Sequence, residues 1–253
     1  MKYLLSSAVL ALALASSTGA NAIELTLIAP GGIRAALQQL FPAFEAKTGN
    51  TVKGTFGSGG GTKARVVKGD PFDVPVVQVP YDDVIKSGHV VVASETPLAN
   101  VSVGLAVRSG APKPDMSSAD AVKKLLLGAK FISYPNAANG AAAGVSFDET
   151  LAKLGIADQM KPKIKIAQGG AGAMKMLADG EVDYGLTFVS EIITEPGVEA
   201  VGPLPRDIST PTFLSAFLSA DSKNPEAAKA LIGYLSSPEA AVVYKQRGML
   251  PGK

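Results

Sequence analysis

Residues 23–47 read IELTLIAPGGIRAALQQLFPAFEAK, and this stretch decides the fold class. Its first seven residues, 23–29, predict a short strand. The paired glycines at 31–32 then open a helix that runs to about Lys47, because its apolar residues recur at a helical period. Residues 48–50 (TGN) end that helix. A strand, a glycine turn and a helix in this order are the repeating unit of a parallel α/β sheet.

The same unit recurs along the chain. Residues 51–79 give a strand, a glycine loop, a short helix and a further strand, and residues 117–188 give a second run of such units. Extended crossings near 100–104 and 205–211 join the two runs. We therefore predict an α/β fold of the periplasmic-binding type, in which each of two lobes is a mainly parallel sheet flanked by helices. The predicted units are lobe 1 (23–103 plus 206–253) and lobe 2 (104–205).

The first 22 residues have the pattern of a secretory signal peptide. Lys2 precedes an apolar run at 4–15, and residues 20–22 (ANA) match a small-residue cleavage site. The apolar run is shorter than the ~20 residues that a bilayer requires. We therefore expect cleavage after Ala22 and a mature protein in the periplasm.

Composition excludes several classes of function. The formal net charge is only +2 over 253 residues, whereas nucleic-acid-binding proteins carry a concentrated basic excess. The chain has no cysteine, which excludes disulfide scaffolds, thiolate metal sites and cysteine nucleophiles. One histidine, His89, cannot build a histidine-rich metal site. We predict no metal, no nucleic-acid partner and, because no heptad pattern is present, a monomer.

Glycines cluster where predicted strands end and helices begin, at 31–32, 57–61, 140–144 and 169–172. In open α/β sheets, ligands bind outside the carboxyl ends of the strands, where free N–H groups and the helix dipole favour negative charge. Glycine also lets a ligand approach the backbone closely, although each cluster alone could be no more than a tight turn. Together they predict an anion site with the candidate residues Gly31, Gly32, Ser58, Gly59, Gly60, Thr62, Gly140, Ala143, Gly144, Ser146, Gly170, Thr187 and Phe188.

Three cations and one acid lie beside these clusters. Arg34, Lys63 and Arg65 fall in the first turns of predicted helices, where a positive charge opposes the helix dipole. A nearby anion would explain them, and a solvated helix face is the alternative. Glu191 follows the strand predicted at 183–188, so an acid lies next to a site for anions and is a candidate contact or base.

Several short motifs carry a family resemblance. They are LTLIAPGGI (25–33) with FEAKTG (44–49), TFGSGG (55–60) with GDPFDV (69–74), GEVDYG (180–185), and the closing PEAAKALI (225–232), SPEAA (237–241) and RGM (247–249). Together they resemble the type 2 periplasmic solute-binding proteins of the molybdate-binding kind over nearly all of the chain after residue 22. Two positions depart from that pattern, with Gly32 at a usual serine and Phe188 at a usual tyrosine.

The resemblance implies a protein that captures a small anion between its lobes for an ABC-type permease. Because two hydroxyl donors are missing and cations are near, an organic carboxylate is the expected ligand, ahead of a molybdate-type oxyanion. The chain is also similar to aconitate isomerases on the same fold, which implies an alternative, a proton shift at a carbon beside carboxylates. In that alternative Glu191 is the first candidate acid–base group, with Tyr184 and His89 behind it. Neither function requires a cofactor.

Overall fold

The computed structural model of the chain describes residues 22–252. The predicted signal peptide lies, apart from Ala22, outside the described residues. Over residues 22–252, no helix has both the length and the apolar character needed to cross a bilayer.

Strands and helices alternate along the described chain, which confirms the predicted α/β class. The strands are β1 (Glu24–Pro30), β2 (Thr51–Gly57), β3 (Val74–Gln78), β4 (Val90–Val101), β5 (Val103–Arg108), β6 (Ile132–Pro135), β7 (Ile164–Ala167), β8 (Tyr184–Phe188), β9 (Val198–Pro203), β10 (Thr212–Ser219) and β11 (Leu250–Pro251). The helices are α1 (Arg34–Thr48), α2 (Gly59–Val67), α3 (Asp82–Lys86), α4 (Ala119–Gly128), α5 (Ala142–Lys153), α6 (Ala157–Met160), α7 (Gly169–Ala178), α8 (Val189–Ile192), α9 (Pro225–Leu235) and α10 (Pro238–Gln246). Short 3-10 turns precede α1 (Gly31–Ile33), α5 (Ala137–Asn139) and β7 (Lys161–Lys163).

Within residues 22–252 the first sheet has the strand order β11-β4-β10-β3-β1-β2. In it β1 lies parallel to β2 and β3, whereas β10 runs antiparallel between β3 and β4 and β11 pairs antiparallel with β4. Helices α1, α2, α3, α9 and α10 pack on this sheet, and together they form what we call the first lobe. Two of its three parallel strands, β1 and β2, end at glycine turns.

The second sheet has the strand order β7-β6-β8-β5-β9. Strand β6 is parallel to β7 and β8, and β5 is antiparallel to β8 and β9. With α4 to α8 it forms what we call the second lobe. Both sheets are therefore mixed, although the sequence predicts mainly parallel ones. Every antiparallel pairing involves β4, β5, β9 or β10, the strands next to the crossings, so the antiparallel part of each sheet lies where the chain passes from one lobe to the other.

Two short segments connect the lobes. The chain passes from β4 to β5 through Ser102 alone and returns through residues 204–211. The carbonyl of Ser102 accepts a hydrogen bond from the amide of Val189 at 3.0 Å. The hydroxyl of Thr150 on α5 lies 3.1 Å from the carbonyl oxygen of Ile208, its acceptor in the returning segment. Both crossings are thus attached to the second lobe.

A buried carboxylate fixes the end of the first sheet that is opposite the glycine turns. Asp73, next to β3, is 8% exposed. Its Oδ2 accepts hydrogen bonds from the amide and the hydroxyl of Thr26 on β1, each at 2.8 Å. Its Oδ1 accepts a third from the Ser222 hydroxyl at 2.6 Å. Bonds to a charged group are stronger than neutral ones, so they hold β1 and β3 in register.

Candidate functional site

A cleft between the two lobes receives helix starts from both. Its volume is about 310 Å³, which suits a small molecule. We call it the interlobe cleft. From the first lobe it is lined by Pro30, Gly31, Gly32, Arg34, Ala35, Gly57, Ser58, Gly59 and Gln78. From the second lobe it is lined by Pro135, Ala141, Ala142, Ala143, Gln168, Gly169, Gly170, Ala171, Phe188, Ser190, Glu191, Thr194 and Glu195.

The four glycine clusters identified in the sequence meet at this cleft or at its rim. Helices α1, α2, α5 and α7 all start at its wall, and each leaves its first amides without a partner within the helix. The positive ends of their dipoles therefore point at the same space. Such an arrangement stabilises a negative charge without requiring a counter-charge from the protein.

Ser58 shows how one helix start is prepared. It precedes α2 in an extended conformation, and its hydroxyl oxygen accepts a hydrogen bond from the amide of Gly61 at 3.1 Å. The hydroxyl proton is not used by that bond. Ser58 can therefore cap α2 and donate to an anion in the cleft at the same time.

Two hydrogen bonds join the lobes across the interlobe cleft. The amide of Gly60 donates to the carbonyl of Gly140 at 3.0 Å, and the hydroxyl of Ser190 donates to the carbonyl of Gly32 at 2.7 Å. At the first contact the backbones almost touch, since a Cβ added at Gly60 would lie 3.0 Å from Cα of Gly140. The structure is therefore that of a closed protein, with Gly60 and Gly140 at the rim.

Glu191 brings a carboxylate to the middle of this anion site. A Cβ added at Gly31 would lie 3.1 Å from its Oε1, and one added at Gly170 would lie 2.6 Å from its Oε2. The Thr187 hydroxyl donates a short hydrogen bond to Oε2. The carboxylate therefore lies between the glycine turn before α1 and the first turn of α7.

The surroundings of Glu191 favour its neutral form. Burial raises the pKa of Glu191 above its ordinary value, and the negative charge of Glu195 raises it further. The hydrogen bonds from the Thr187 hydroxyl and the Phe188 backbone, and the positive charge of Arg34, lower this pKa without cancelling the effect of burial. Glu191 is thus a carboxyl group that can exchange a proton inside the cleft.

Arg34 is the predicted cation that lines the cleft. It is the first residue of α1, and its guanidinium lies 5.3 Å from the ring centroid of Phe56. Stacking on an aromatic ring orients the guanidinium while leaving its N–H groups available to a carboxylate. Arg34 can therefore supply the bidentate contact that the backbone amides cannot.

Gln78 is a cleft residue that the sequence analysis missed. It ends β3, is 8% exposed, and its Oε1 has no hydrogen-bond partner among the described residues. Its carboxamide lies over Gly59, where an added Cβ would be 2.0 Å from Oε1. A buried carbonyl oxygen without a partner is costly, so this side chain points to a ligand group or a water that completes it.

The other two predicted cations lie outside the cleft lining. Lys63 donates to the carbonyl of Pro80 at 2.7 Å, and burial lowers the pKa of its ammonium group. Arg65 pairs with Asp70 at 2.7 Å and stacks on Phe72 at 4.7 Å. Both point along the side of the first lobe and already have protein partners.

Tyr184 and His89 are also outside the cleft lining. Tyr184 starts β8, at the opposite end of that strand from Phe188, and lines a separate open depression with Lys124. His89 lies in the first lobe, where its Nδ1 is 2.8 Å from Oδ2 of Asp221. Neither side chain reaches the place where Glu191 lies, so neither is carried forward as an acid–base candidate.

The remaining predicted residues lie behind the wall. Thr62 and Ser146 are buried in α2 and α5, and Thr187 is buried and holds Glu191. Gly144 permits α5 to pack against β6, because an added Cβ would lie 2.1 Å from the carbonyl oxygen of Pro135. They support the site without lining it.

Four further polar residues of the lining were not predicted, and the sequence contains a signal for two of them. Gln168 directly precedes a glycine cluster, and Ser190 directly precedes Glu191. Thr194 and Glu195 follow on the turn after α8, an element too short to show a period. Within residues 22–252, no group of acidic or histidine side chains is arranged to hold a metal ion.

Two sheets joined by two crossings, with helix starts from both lobes around a closed cleft, define a two-lobed solute-binding protein. The comparison with protein families agrees: residues 25–250 match the bacterial extracellular solute-binding proteins. The chain belongs to that family.

Among curated relatives, the chain is 32% identical to an aconitate isomerase from a Pseudomonas species, over 90% of this chain and 87% of the relative. It is 28% identical to the molybdate-binding protein of Rhodobacter capsulatus, over 81% of this chain and 79% of that protein. Among solved structures, it matches the periplasmic molybdate-binding protein of Azotobacter vinelandii with a TM-score of 0.73 and 22% identity, covering 89% of this chain and 98% of that one. That structural match concerns the fold.

Proposed function

We propose that this protein captures a small organic polycarboxylate in its interlobe cleft, in the periplasm. The observation that carries the proposal is the convergence of α1, α2, α5 and α7 on a space that Arg34 also lines. Amides at helix starts can hold one carboxylate, and the guanidinium can hold a second in bidentate fashion. A ligand with two or more carboxylates uses both.

The size and the donors of the cleft favour an organic acid over a tetrahedral oxyanion. A water molecule takes about 30 Å³ in the liquid, so a cleft of about 310 Å³ has room for much more than one such oxyanion. Gly32 and Phe188 supply no hydroxyl where molybdate binders usually have one. A tetrahedral oxyanion would therefore lack two hydroxyl donors and would leave part of the cleft unfilled.

Capture fits the role of a solute-binding protein that serves a membrane permease. The predicted signal peptide supports export, and the family consists of extracellular solute-binding proteins. Ser102 and residues 204–211 are the two places where the backbone can bend as the lobes open and close.

A thermal-shift panel tests this proposal directly. The purified protein is heated with citrate, cis- and trans-aconitate, tricarballylate, sulfate, molybdate and tungstate. A ligand at about 100 times its dissociation constant stabilises the folded state by about 2.7 kcal/mol. We expect this stabilisation from polycarboxylates, and stabilisation by molybdate or tungstate alone would contradict the proposal.

A second candidate function, aconitate isomerisation, is favoured by Glu191 and by the 32% identical relative. Glu191 would take a proton from the saturated carbon beside one carboxylate as that C–H bond breaks. The double bond then shifts by one carbon, and the same carboxyl group returns the proton at the other end of the allyl unit. Helix starts and Arg34 would stabilise the charge that develops on the substrate carboxylates. One proton is removed and one is returned, so the reaction requires no cofactor.

Incubation with cis-aconitate in deuterated water separates the two functions. Isomerisation produces the trans isomer, which contains deuterium to the extent that the proton on Glu191 exchanges with solvent before it is returned, and Glu191→Gln should lose this turnover while still binding. Saturable stabilisation of the wild-type protein without turnover or exchange would leave capture in place and rule out the enzyme.

A further inference from the structure

The position of Glu191 has a consequence for the kind of anion that the interlobe cleft accepts. Its carboxylate lies between the glycine turn before α1 and the start of α7, which is the space that a bound anion would share. Two ionised groups so close cannot both keep their charge at low cost, since each disfavours ionisation of the other. One proton must therefore lie between Glu191 and the ligand, or the ligand must bring a donor of its own.

The charged groups that face Glu191 do not remove this conflict. Arg34 approaches from α1, and Glu195 approaches from the turn that follows α8. From β8 the Thr187 hydroxyl donates to Oε2 and the backbone of Phe188 also hydrogen-bonds the carboxylate, and these contacts favour its ionised form without adding a positive charge. Apart from the helix starts, one cation is set against two acids, so the side chains supply no surplus positive charge to hold both Glu191 and a fully ionised ligand.

Gln78 is a second acceptor at the wall of the same cleft. Its Oε1 is buried and has no partner among the described residues, and it belongs to β3 rather than to α8. A fully ionised oxyanion has no proton to offer to this oxygen. A hydroxyl or a protonated carboxyl group does, once the carboxamide turns its buried oxygen toward the cleft.

We propose that Glu191 and Gln78 make the cleft selective for ligands that carry a hydrogen-bond donor. The favoured class is a polycarboxylic acid that shares one proton with the protein, or one that carries a hydroxyl group, and weakly basic oxyanions such as sulfate and molybdate, which share a proton less readily, are rejected. This inference rests on the proposed function, because it assigns the selectivity of the same cleft.

Calorimetry with tricarballylate provides the test, because this saturated tricarboxylate cannot isomerise. Titrations between about pH 7 and pH 9, where the free ligand is fully ionised, are repeated in buffers of different ionisation enthalpy to count protons taken up on binding. The variants are Glu191→Gln, Gln78→Leu and the control Glu149→Gln, which removes a charge from an exposed position on α5. Sulfate and molybdate are titrated into all four proteins.

For the wild type and Glu149→Gln we expect uptake of about one proton for each ligand, with affinity falling up to about tenfold for each pH unit. Glu191→Gln should bind without proton uptake and should gain at least about tenfold in affinity for sulfate or molybdate. Gln78→Leu should weaken the binding of citrate, which carries a hydroxyl group, more than the binding of tricarballylate, which carries none.

Three results would overturn the inference. Tight tricarballylate binding by the wild type without proton uptake contradicts it and leaves the proposed function standing. If a folded Glu191→Gln protein still rejects oxyanions and still takes up a proton on binding tricarballylate, the inference is also contradicted and the proposed function also stands. Failure of the wild type and of Glu149→Gln to bind any carboxylate would overturn both the inference and the proposed function.

Discussion

Gly32 and Phe188 are sterically matched: a Cβ atom at Gly32 would lie 2.9 Å from Cδ2 of the Phe188 ring. One residue belongs to the turn before α1 and the other ends β8, so the contact crosses the interlobe cleft. The two positions where the chain departs from the molybdate-binding pattern are therefore in contact with each other. The phenylalanine ring fills the space that a serine side chain would need.

Gly32→Ser alone should not create molybdate binding. The new side chain meets the Phe188 ring, and overpacking of this kind costs about 1–3 kcal/mol. We expect the melting temperature to fall by about 2–4 °C for each kcal/mol. Adding Phe188→Ala should recover part of that loss. Gly57→Ser is the control, since a Cβ there meets no atom within 4 Å, and an equal loss in the control would contradict the steric explanation.

Arg34→Gln should weaken polycarboxylate binding by about tenfold or more, because the bidentate contact to one carboxylate is lost. The affinity should also depend less on salt concentration. Arg65→Gln is the matched control, since Arg65 pairs with Asp70 outside the cleft lining. Titration calorimetry of both variants measures the difference. If both variants lose the same affinity for the ligand, Arg34 does not contact the ligand.

Gly60→Val should hinder closure of the lobes. Its side chain would enter the contact with Gly140, where even a Cβ lies 3.0 Å from Cα and 3.3 Å from the carbonyl oxygen. We expect an affinity at least about tenfold weaker, because closure completes the site. Small-angle X-ray scattering should show no compaction when ligand is added. Gly233→Val on α9 is the control, since a side chain there meets open space, and it should compact normally.

Glu191→Gln should raise stability at neutral pH. The raised pKa means that the folded state holds its proton more tightly than the unfolded state, so the contribution of Glu191 is fully present at low pH and is lost as pH rises through the folded-state value. Melting curves should show a variant more stable than the wild type near pH 7, with the gap closing near about pH 4. Identical pH profiles for the two proteins would contradict burial as the cause.

Asp73→Asn should destabilise the first lobe by about 1.5–3 kcal/mol, the cost of weakening hydrogen bonds to a charged group. Asp73 accepts bonds from Thr26 and Ser222, and the amide offers one oxygen in place of two. Chemical denaturation measures the loss. Asp70→Asn, which disturbs one exposed pair with Arg65, should cost less than 1 kcal/mol.

The parts of the fold that follow from local pattern were predictable. Apolar strands that end at glycines, such as β1 with Gly31, combine two strong signals at one place. The bounds of strand β10 also follow from the sequence, since Thr212–Ser219 is an unbroken β-prone run. Strand β9 was not predicted, because Val198–Pro203 alternates weakly and contains a glycine and a proline.

The candidate site was predictable at the level of backbone and much less at the level of side chains. Glycine clusters in the sequence indicate where helices start, whereas the direction of a charged side chain depends on neighbours that are distant in the chain. Arg34 and Arg65 look alike in sequence, yet Phe56 orients the first and Asp70 holds the second. Gln78 gave little signal because one polar residue after an apolar strand is common.

The placement of β10 between β3 and β4 has a consequence for how the polypeptide acquires its structure. Strand β10 lies in the middle of the first sheet but follows the whole second lobe in the sequence. The amino-terminal strands therefore pair with a strand that is distant along the chain. Such distant pairings are slow to form. We expect the inserted half to be protected first in pulsed hydrogen exchange during refolding, with the amino-terminal half gaining protection in a later phase.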